Sequence, residues 1–375
     1  MGTALYRWDR ILGMTDRLSQ LAQILTSEGF DAYLACTPIS MGYLAGLFED
    51  GHERLLLMAI HSSGKMRLIC PALTANQARR MGIEDIRPWA DGEDSSVHLS
   101  KLAEDWNLKA GRIAVDNEMR ADVLLTLQDT WPAALFKAGD NILSQLTRRK
   151  DGLEIELMQR AANIADEAYR QVKPKIRAGQ TEMEVGRMLT DAMVELGGKP
   201  TFAIVAAGPN GAEPHHLNDE TVLKDGDVVI LDFGCDLGGY QSDITRVVAI
   251  GSATDKAKEV YQVVHHAHMA GRATAQQGVT AGSVDAATRK VIEDAGYGEY
   301  FIHRTGHGIG MKGHESPNIT PGSDFVLEAG NCFSIEPGIY LPGEFGVRIE
   351  NIAMAREDDC YSFNEEPSPI LEILG

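Results

Sequence analysis

The stretch from Val228 to Arg246 constrains the fold of this chain most strongly. It reads VVILDFGCDLGGYQSDITR, so that an apolar run ends at Asp232 and a second carboxylate, Asp243, follows a Gly-Gly pair. The apolar segments on either side are typical of strands, and DLGG supplies a turn between them. A carboxylate at the end of a buried strand is costly unless a positive group neutralises it. The stretch therefore predicts a hairpin that presents two carboxylates together.

The relative position of these carboxylates depends on where the turn lies. A turn centred between Leu237 and Gly238 places Asp232 directly opposite Asp243, whereas a turn at Gly238 and Gly239 makes them diagonal neighbours on one face. In either register their β-carbons lie roughly 5 to 7 Å apart. Two anions held that close require a cation, a shared proton or solvent.

A second pair of carboxylates, Glu336 and Glu350, repeats this device in the segment CFSIEPGIYLPGEFGVRIEN. Their even separation suits a hairpin with an odd-numbered loop centred on Gly343. Between the two pairs lies HRTGHGIG, in which glycines flank His307 and let the backbone approach closely. Four carboxylates and one imidazole suit Mn²⁺, Co²⁺ or Fe²⁺ better than a structural zinc site. Because several of these ligands can bridge, the set predicts two divalent ions about 3.5 to 4 Å apart.

A faint internal repeat relates the two halves of this region. The segment from Arg177 to Phe202 resembles the segment from Gln276 to Phe301, because each has a Gly-x-Thr turn, an amphipathic helix and a glycine that ends the helix. The same offset places His215 opposite His314. Two half-domains that face each other across a pseudo-two-fold axis would hold a site between them.

The length of 375 residues is sufficient for two domains. The first part alternates strand and helix signals, with strands in DAYLAC, RLLLMAI, KMRLIC and RIAVD, which predicts an α/β domain over residues 1–148. A long amphipathic helix from Leu153 opens a second domain over residues 149–375. Within the first domain, the segment ACTPISMGYLAG is expected to be a loop.

Charge and composition exclude several classes of partner. The formal net charge is −19, from 54 acidic and 35 basic residues, which argues against nucleic-acid binding. No run of 18 or more apolar residues occurs, so we expect no membrane span. The N-terminus lacks the apolar core of a signal peptide, and the five cysteines form no C-x-x-C pair. These features favour free thiols and a cytoplasmic location.

Five sequence blocks resemble the pita-bread metallopeptidases (family M24), which include methionine aminopeptidase, Xaa-Pro aminopeptidase and Xaa-Pro dipeptidase (prolidase). The blocks read GPNGAEPHH, KDGDVVILDFGCDLGGYQSDITR, HRTGHGIGMKGHESPNI, FSIEPGIY and GVRIEN, and they occur in the family order. The preceding α/β domain is similar to that of the Xaa-Pro branch and of creatinase. The resemblance thus implies a creatinase/prolidase-like α/β N-terminal domain followed by an α+β pita-bread catalytic domain with a pseudo-two-fold internal repeat.

The resemblance also implies a role for each motif residue. It implies that two divalent ions per subunit, Mn²⁺ or Co²⁺, are held by Asp232, Asp243, His307, Glu336 and Glu350, with Asp243 and Glu350 bridging. His215 matches the histidine near the leaving group, with His216 as the weaker alternative, and His314 matches the one at the scissile carbonyl. Glu336 matches the proton carrier. Arg348 precedes Glu350 as in the Xaa-Pro members, where this arginine supports the site, and His303 is a candidate for binding substrate or supporting the site.

The reaction that the resemblance implies is hydrolysis of the bond between an N-terminal residue and proline, by a water that the two ions activate. Its substrates would be proline-containing di- or oligopeptides, and the resemblance implies a homodimer. The acidic charge and the lack of a long apolar run argue against nucleic-acid and membrane partners. The sequence leaves open whether the chain is a dipeptidase or an aminopeptidase; His52 and Arg54 are candidates for closing the substrate's carboxylate end. The alternatives are a lyase or other hydrolase on the same fold, or a non-catalytic relative that acts as a binding module. Creatinase, which lacks a catalytic metal, is disfavoured because all five candidate ligands are present.

Overall fold

The structure, a computed structural model, describes residues 16–375, and these divide into one unit that ends at Thr147 and another over Arg148–Gly375. The first unit contains the helices α1 (residues 16–27), α2 (Pro38–Ala45), α3 (Ala72–Arg80), α4 (Ser96–Trp106), α5 (Ala121–Thr130) and α6 (Asp140–Thr147). Its strands are β1 (Ala32–Ala35), β2 (Leu57–His61), β3 (Met66–Pro71), β4 (Ile86–Trp89), β5 (Arg112–Val115) and β6 (Leu135–Ala138).

These six strands form one mixed sheet in the order β4–β3–β2–β1–β5–β6. The pairs β1–β2 and β2–β3 are antiparallel, and the remaining pairs are parallel. Apolar side chains such as Leu34, Leu57 and Trp131 are fully buried in its core. The four strands predicted from the sequence are β1, β2, β3 and β5, so the α/β character of this unit is confirmed.

The expectation of a loop over ACTPISMGYLAG is wrong, because helix α2 occupies most of it. The hydroxyl of Thr37 caps the helix by accepting a hydrogen bond from the backbone N–H of Ser40, and Pro38 occupies the first helical position. Gly46 ends the helix in the left-handed conformation, with φ 68°. The helix has only 8 residues, which is too short for a clear periodicity of apolar positions.

The second unit contains the helices α7 (Gly152–Val172), α8 (Glu182–Glu195), α9 (Asp255–Thr274) and α10 (Ala281–Asp294). Its strands are β7 (Lys199–Ala207), β8 (Val228–Leu237), β9 (Tyr240–Gln241), β10 (Ile244–Ile250), β11 (Gly306–Gly308), β12 (Glu315–Ile319), β13 (Cys332–Ile335), β14 (Gly338–Leu341), β15 (Phe345–Arg348), β16 (Asn351–Ala355), β17 (Cys360–Ser362) and β18 (Glu372–Leu374). Short 3₁₀ turns lie at Lys173–Lys175, Gly208–Ala212 and Gly298–Tyr300.

Two larger sheets and a two-stranded ribbon organise these elements. One sheet has the order β18–β10–β8–β7, with β9 paired to β8, the other has the order β12–β11–β13–β16–β17, and β14 pairs with β15. Apolar residues of α7 and α8 pack on the first sheet, where Leu189 and Leu231 are fully buried. Val284 of α10 joins the core of the second sheet together with Phe333.

The internal repeat predicted from the sequence is visible in the helices. Thr181 caps α8 and Thr280 caps α10, each by accepting a hydrogen bond from a backbone N–H three residues later. Glycines in the left-handed region, Gly197 and Gly296, follow the two helices. The two sheets therefore each carry a helix of the same length at the offset read from the sequence.

The cysteines and the helices were both the subject of predictions from the sequence. All five cysteines are free, as expected from their spacing. Within residues 16–375, no helix combines the length and the apolar character that crossing a bilayer requires.

Candidate metal centre

The first ligand-bearing hairpin consists of β8, followed by β9 and β10. Leu237 pairs with Tyr240, and Asp232 pairs with Thr245, so the two-residue turn is Gly238–Gly239. Asp243 therefore lies diagonally from Asp232 on the same face, which is the second of the two registers that the sequence allowed.

The second ligand-bearing hairpin is interrupted where the glutamates lie. Ile335 of β13 pairs with Asn351 of β16, and Gly338 of β14 pairs with Arg348 of β15. One register runs through the break and centres the loop on Gly343, as predicted from the sequence.

At this break the backbones of the two glutamates form hydrogen bonds to other segments of the chain. The backbone N–H of Glu336 donates to the carbonyl of Thr305 at 2.8 Å, and that of Glu350 donates to the carbonyl of Thr245 at 3.2 Å. The second bond ties Glu350 to the aspartate hairpin. Through these two hydrogen bonds, the hairpin is connected to the residue before β11 and to β10.

His307 lies in β11, where glycines permit an unusually close approach of strands. A β-carbon at Gly306 would lie only 1.9 Å from the carbonyl oxygen of Ser334, so no larger residue fits without moving the backbone. Nδ1 of His307 lies 3.1 Å from the carbonyl oxygen of Gly308, to which it can donate. This bond selects the tautomer that leaves Nε2 available as a metal ligand.

Nε2 of His307 lies among the carboxylates of both hairpins. It is 3.3 Å from Oε1 of Glu336 and 3.9 Å from Oδ2 of Asp243. Ligand atoms of Asp243, His307 and Glu350 all lie within 4.8 Å of one another, and the three residues are buried. Asp232 faces the same region on the first hairpin. The structure thus brings together the five residues that the sequence predicted as ligands.

The electrostatics of this cluster favour a bound cation. Burial and the neighbouring carboxylates raise the pKa values of Asp243 and Glu350 well above their ordinary range. Burial raises the pKa of Glu336 to about 7 and lowers the pKa of His307 to about 3. These shifts arise because burial disfavours the charged forms, and Arg348 offsets only part of that cost for the carboxylates. Positive ions would reverse the penalty on the carboxylates.

Three buried carboxylate oxygens indicate where such ions fit. Oδ1 of Asp232, Oδ1 of Asp243 and Oε1 of Glu350 are buried and have no hydrogen-bond partner among the described residues. Buried anionic oxygens are almost always paired or bound to a metal. An oxygen-rich set with a single imidazole is the donor set of Mn²⁺, Co²⁺ or Fe²⁺. The residues present therefore fit divalent ions.

One oxygen of each glutamate is held by a residue to which the sequence had assigned no role. Thr245 donates to Oε2 of Glu350 at 2.7 Å, and Ser334 donates to Oε1 of Glu336 at 3.0 Å. Such bonds orient metal ligands. Both donors stand in the quoted motifs, in SDITR and FSIEP, but nothing in the sequence paired them with particular glutamates.

Arg348 supports the centre from inside the protein. Its Nη2 donates to Oδ2 of Asp232 at 2.6 Å, and its Nη1 donates to the hydroxyl of Tyr340 at 2.9 Å. Burial acts against the charged guanidinium, but Tyr340, Asp232 and Glu336 outweigh it and raise the pKa of Arg348 above its ordinary value. The arginine is deeply buried, since only 3% of the residue is exposed.

His303 is linked to Arg348 through Tyr340, which sequence reasoning missed. Nε2 of His303 lies 2.8 Å from the hydroxyl of Tyr340, and its Nδ1 lies 2.7 Å from the carbonyl oxygen of Arg304. Burial lowers the pKa of His303 to about 4, so its imidazole is neutral at physiological pH. The sequence feature that could have identified Tyr340 as a site residue is its position in β14, the strand that follows Glu336.

His314 and His215 approach the centre from two different loops. The ring of His314 packs against that of His307, with centroids 3.8 Å apart. His215 is exposed, and after burial it is among the groups that lower the pKa values of His303 and His314. The carbonyl of Pro214, next to His215, lies 3.5 Å from Nη1 of Arg348. Both histidines therefore border the predicted ligands.

His216 turns away from this site toward a buried glutamate. Its Nε2 lies 2.7 Å from Oε2 of Glu182, which also accepts from the backbone N–H of Asp219. Oε1 of Glu182 accepts from the backbone N–H of Ala207 and from the side chain of Asn210. Glu182, His216 and Asp219 could geometrically surround an ion, but the hydrogen bonds already occupy both oxygens of Glu182. This group anchors the loop that carries His215.

The two units match two family models, in the order that the sequence predicted. Residues 17–146 match the creatinase/prolidase N-terminal domain, and residues 156–357 match metallopeptidase family M24.

Related proteins match over nearly the whole chain. A protein named "Probable dipeptidase PepE" from Mycobacterium tuberculosis is 36% identical over 94% of this chain and 95% of its own length. The Xaa-Pro dipeptidase of Lactobacillus delbrueckii subsp. lactis is 35% identical over 92% of this chain and 96% of its own. The crystal structure of a dipeptidase from Pyrococcus horikoshii OT3 is similar with a TM-score of 0.91 and 35% identity, over 96% of this chain and all of that one.

These matches confirm the predicted fold: an N-terminal domain of the creatinase/prolidase type precedes a pita-bread catalytic domain. They also agree with a cluster of four carboxylates and one histidine in the second unit, since the M24 family implies divalent metal ions. The chain therefore belongs to metallopeptidase family M24.

Proposed function

We propose that this metallopeptidase is an Xaa-Pro dipeptidase, which hydrolyses the bond between an N-terminal residue and a C-terminal proline. Residues 1–148 form its N-terminal domain and residues 149–375 its catalytic domain. The observation that carries the proposal is the cluster of three buried carboxylate oxygens without hydrogen-bond partners, on Asp232, Asp243 and Glu350. Relatives named as dipeptidases favour this reading over an aminopeptidase.

The ligands that we propose for two divalent ions, Mn²⁺ or Co²⁺, are Asp232, Asp243, His307, Glu336 and Glu350. Ions bound there would supply water with a pKa near neutral and Lewis-acid polarisation of the scissile carbonyl. Thr245 and Ser334 fix the orientation of the two glutamates, so the ligand set is formed before metal arrives.

The remaining site residues handle protons and charge around the scissile bond. We propose that Glu336 takes up a proton from the attacking water and returns it toward the leaving nitrogen. His314, which packs on His307, donates a hydrogen bond to the oxygen that becomes negative as the carbonyl is attacked. His215 lies on the other loop and is placed to contact the leaving proline. His303 and Arg348 hold the pocket through Tyr340.

Proline as the second residue explains why such a site is needed. The nitrogen of an Xaa-Pro bond is a tertiary amide without N–H, so a pocket that recognises that N–H would reject it. The side of the pocket formed by Arg348 and His303 carries no unpaired charge instead. Arg348 forms an ion pair with Asp232, and the imidazole of His303 is uncharged.

The experiment that tests the proposal compares a dipeptide Xaa-Pro with a tripeptide Xaa-Pro-Yaa, each with Mn²⁺ and with a chelator. We expect metal-dependent cleavage of the dipeptide and poor cleavage of the tripeptide. Efficient cleavage of the tripeptide would indicate an Xaa-Pro aminopeptidase. Failure to cleave either would refute the Xaa-Pro assignment and favour another hydrolase, a lyase or a binding module on this fold.

A further inference from the structure

Gln241 connects the aspartate hairpin to the loop that carries His314. We call residues 309–314, which join β11 to β12, the His314 loop. The backbone N–H of Gln241 donates to the carbonyl of Gly310 at 2.9 Å, and its side-chain Nε2 donates to the carbonyl of Met311 at 3.1 Å. A single residue of the hairpin therefore binds two consecutive carbonyls of this loop.

The His314 loop packs closely around the side chain of Gln241. A β-carbon at Gly313 would lie 3.0 Å from Oε1 of Gln241, so the amide lies against the residue that precedes His314. Within the loop, the backbone N–H of Gly310 donates to the carbonyl of Lys312 at 3.0 Å, which closes a tight turn. The amide of Gln241 therefore reaches from this turn to the residue before His314.

Strand β9 holds Gln241 in a fixed position. The strand has only two residues, which pair with Asp236 and Leu237 of β8. Successive side chains of a strand point to opposite faces. On one face the hydroxyl of Tyr240 donates to Oε1 of the buried Glu154 at 2.5 Å, and on the other Gln241 contacts the loop. The residue beside Gln241 is thus anchored in the protein interior.

The other end of the His314 loop has a separate anchor. Nζ of the buried Lys150 donates to Oε1 of Glu315, which directly follows His314. Between the two anchors, the ring of His314 packs against that of His307, with centroids 3.8 Å apart. Because the second anchor remains when the first is lost, a change at Gln241 should shift the loop without unfolding it.

We propose that Gln241 is a positioning residue, which sets the place of His314 relative to the aspartate hairpin and its proposed ligand Asp243. The inference rests on the proposed function, in which His314 donates a hydrogen bond to the scissile carbonyl. That donor stabilises the developing negative charge only when the loop and the ligands are held at the right separation. Gln241 spans this separation with one side chain.

The test measures kcat, KM and bound Mn²⁺ for the full-length protein with an Xaa-Pro dipeptide. For Gln241→Ala we expect kcat to fall about 10- to 100-fold, while KM and bound metal change little. The backbone bond to Gly310 is retained in this variant, so the loop is held less firmly but stays folded. Gln241→Met keeps the length of the side chain without its N–H donor, and kcat should fall to the same extent.

Gln159→Ala is the matched control, because the side chain of Gln159 also donates to a backbone carbonyl, that of Phe363 at 2.8 Å. It should keep the kcat of the wild type. A double-mutant cycle shows whether Gln241 acts through His314. In a His314→Ala protein, we expect the additional change Gln241→Ala to lower the residual kcat by less than about 2-fold.

An unchanged kcat in Gln241→Ala, or an equal loss with and without His314, would overturn the inference. Loss of bound Mn²⁺ would also overturn it, because Gln241 would then support the ligands rather than the loop. In each of these cases the wild-type protein would still cleave the dipeptide, and the proposed function would stand. Failure of the wild-type protein to cleave Xaa-Pro dipeptides would overturn the proposed function together with this inference. A fall in kcat that disappears in the absence of His314 supports both.

Discussion

Nη2 of Arg348 donates a hydrogen bond of 2.6 Å to Oδ2 of Asp232, and this bond joins the two hairpins that carry the proposed ligands. Arg348 ends strand β15 beside the glutamates, whereas Asp232 lies in β8 beside its fellow aspartate. The bond occupies one oxygen of Asp232 and leaves Oδ1 without a partner among the described residues. Arg348 therefore orients the free oxygen of a proposed ligand without occupying it.

Replacement of Arg348 by alanine should weaken metal binding. Loss of a residue that orients a ligand typically costs about 10- to 100-fold in metal affinity, and we expect a loss in that range here. Lysine should rescue little, since it cannot bond to Asp232 and Tyr340 in the same planar geometry. Calorimetric titration of the metal-free variants with Mn²⁺ measures the effect.

Arg356→Ala is the control for this variant, because Arg356 is an exposed arginine of the same unit that pairs with Asp359. We expect it to bind Mn²⁺ as the wild type does. Equal affinity in Arg348→Ala and wild type would show that the Arg348–Asp232 bond does not orient a ligand.

Removal of metal should make stability depend on pH in a defined direction. Burial and neighbouring carboxylates raise the pKa values of Asp243 and Glu350, and burial raises that of Glu336 from 4.5 to about 7. Over that window the metal-free native state holds protons that the unfolded chain releases, so its stability falls as the pH rises from about 4.5 through 7.

Bound ions take the place of these protons, so the stabilisation by metal should grow over the same pH range. Thermal unfolding with Mn²⁺ and with a chelator, at several pH values between 5 and 8, measures the difference. A difference that stays constant over this range would contradict a buried cluster of protonated carboxylates in the metal-free protein.

The buried carboxylate of Glu182 should matter for turnover although it is remote from the ligands. In Glu182→Ala, the side chains of Asn210 and His216 and two backbone N–H groups lose their acceptor. We expect a loss of about 3 kcal/mol in the free energy of unfolding. We also expect a lower kcat, because the loop that carries His215 loses its anchor, while the bound metal stays the same.

Glu184→Ala is the matched control on the same helix. It removes the exposed glutamate of the capping box with Thr181 and should cost only about 1 kcal/mol. Denaturant unfolding and metal analysis of both variants distinguish the two effects. Lost metal in Glu182→Ala would assign the residue to the centre itself.

The ion pair between Lys150 and Glu315 is buried, with 1% and 9% of the two side chains exposed. Truncation to Lys150→Ala leaves Glu315 as an uncompensated buried charge, which typically costs about 3 to 5 kcal/mol. Lys256→Ala breaks an exposed pair with Glu344 in the same unit and should cost less than about 1 kcal/mol. Similar unfolding free energies for the two variants would contradict this difference in burial.

The register of the aspartate hairpin shows what the sequence could have decided. Gly238 and Gly239 both have positive φ, at 66° and 92°, as a two-residue turn of this type requires. The alternative turn would have placed Leu237 at a position that glycine fills readily and a branched side chain does not. The spacing of Asp232 and Asp243 alone allows both registers, because it does not show which turn residues can adopt positive φ.

Other features depend on contacts between distant segments and could not be read from local patterns. Thr245 and Glu350 are separated by 105 residues, and Tyr340 meets His303 across 37. A strand pattern shows that such side chains face one side of a sheet, but not which partner the packing supplies. The motif HRTGH likewise gave no sign that Arg304 contacts His314.

The adjacent histidines His215 and His216 illustrate the same limit. Both stand in one motif, and the resemblance favoured His215 as the residue near the substrate. In the structure His216 binds Glu182, which lies 34 residues earlier in the chain, and His215 is exposed. The two histidines have different surroundings because of the conformation of the loop, which the motif alone does not show.

The most direct test of the central claim is to titrate metal-free protein with Mn²⁺ while recording both bound metal and hydrolysis of an Xaa-Pro dipeptide. We predict no hydrolysis without metal and a plateau of activity when two ions are bound per chain. Asp243→Asn, which removes the charge of a proposed ligand, should lower both bound metal and activity. Full activity in the metal-free protein, or a plateau reached without bound metal, would contradict the proposed dimetal peptidase.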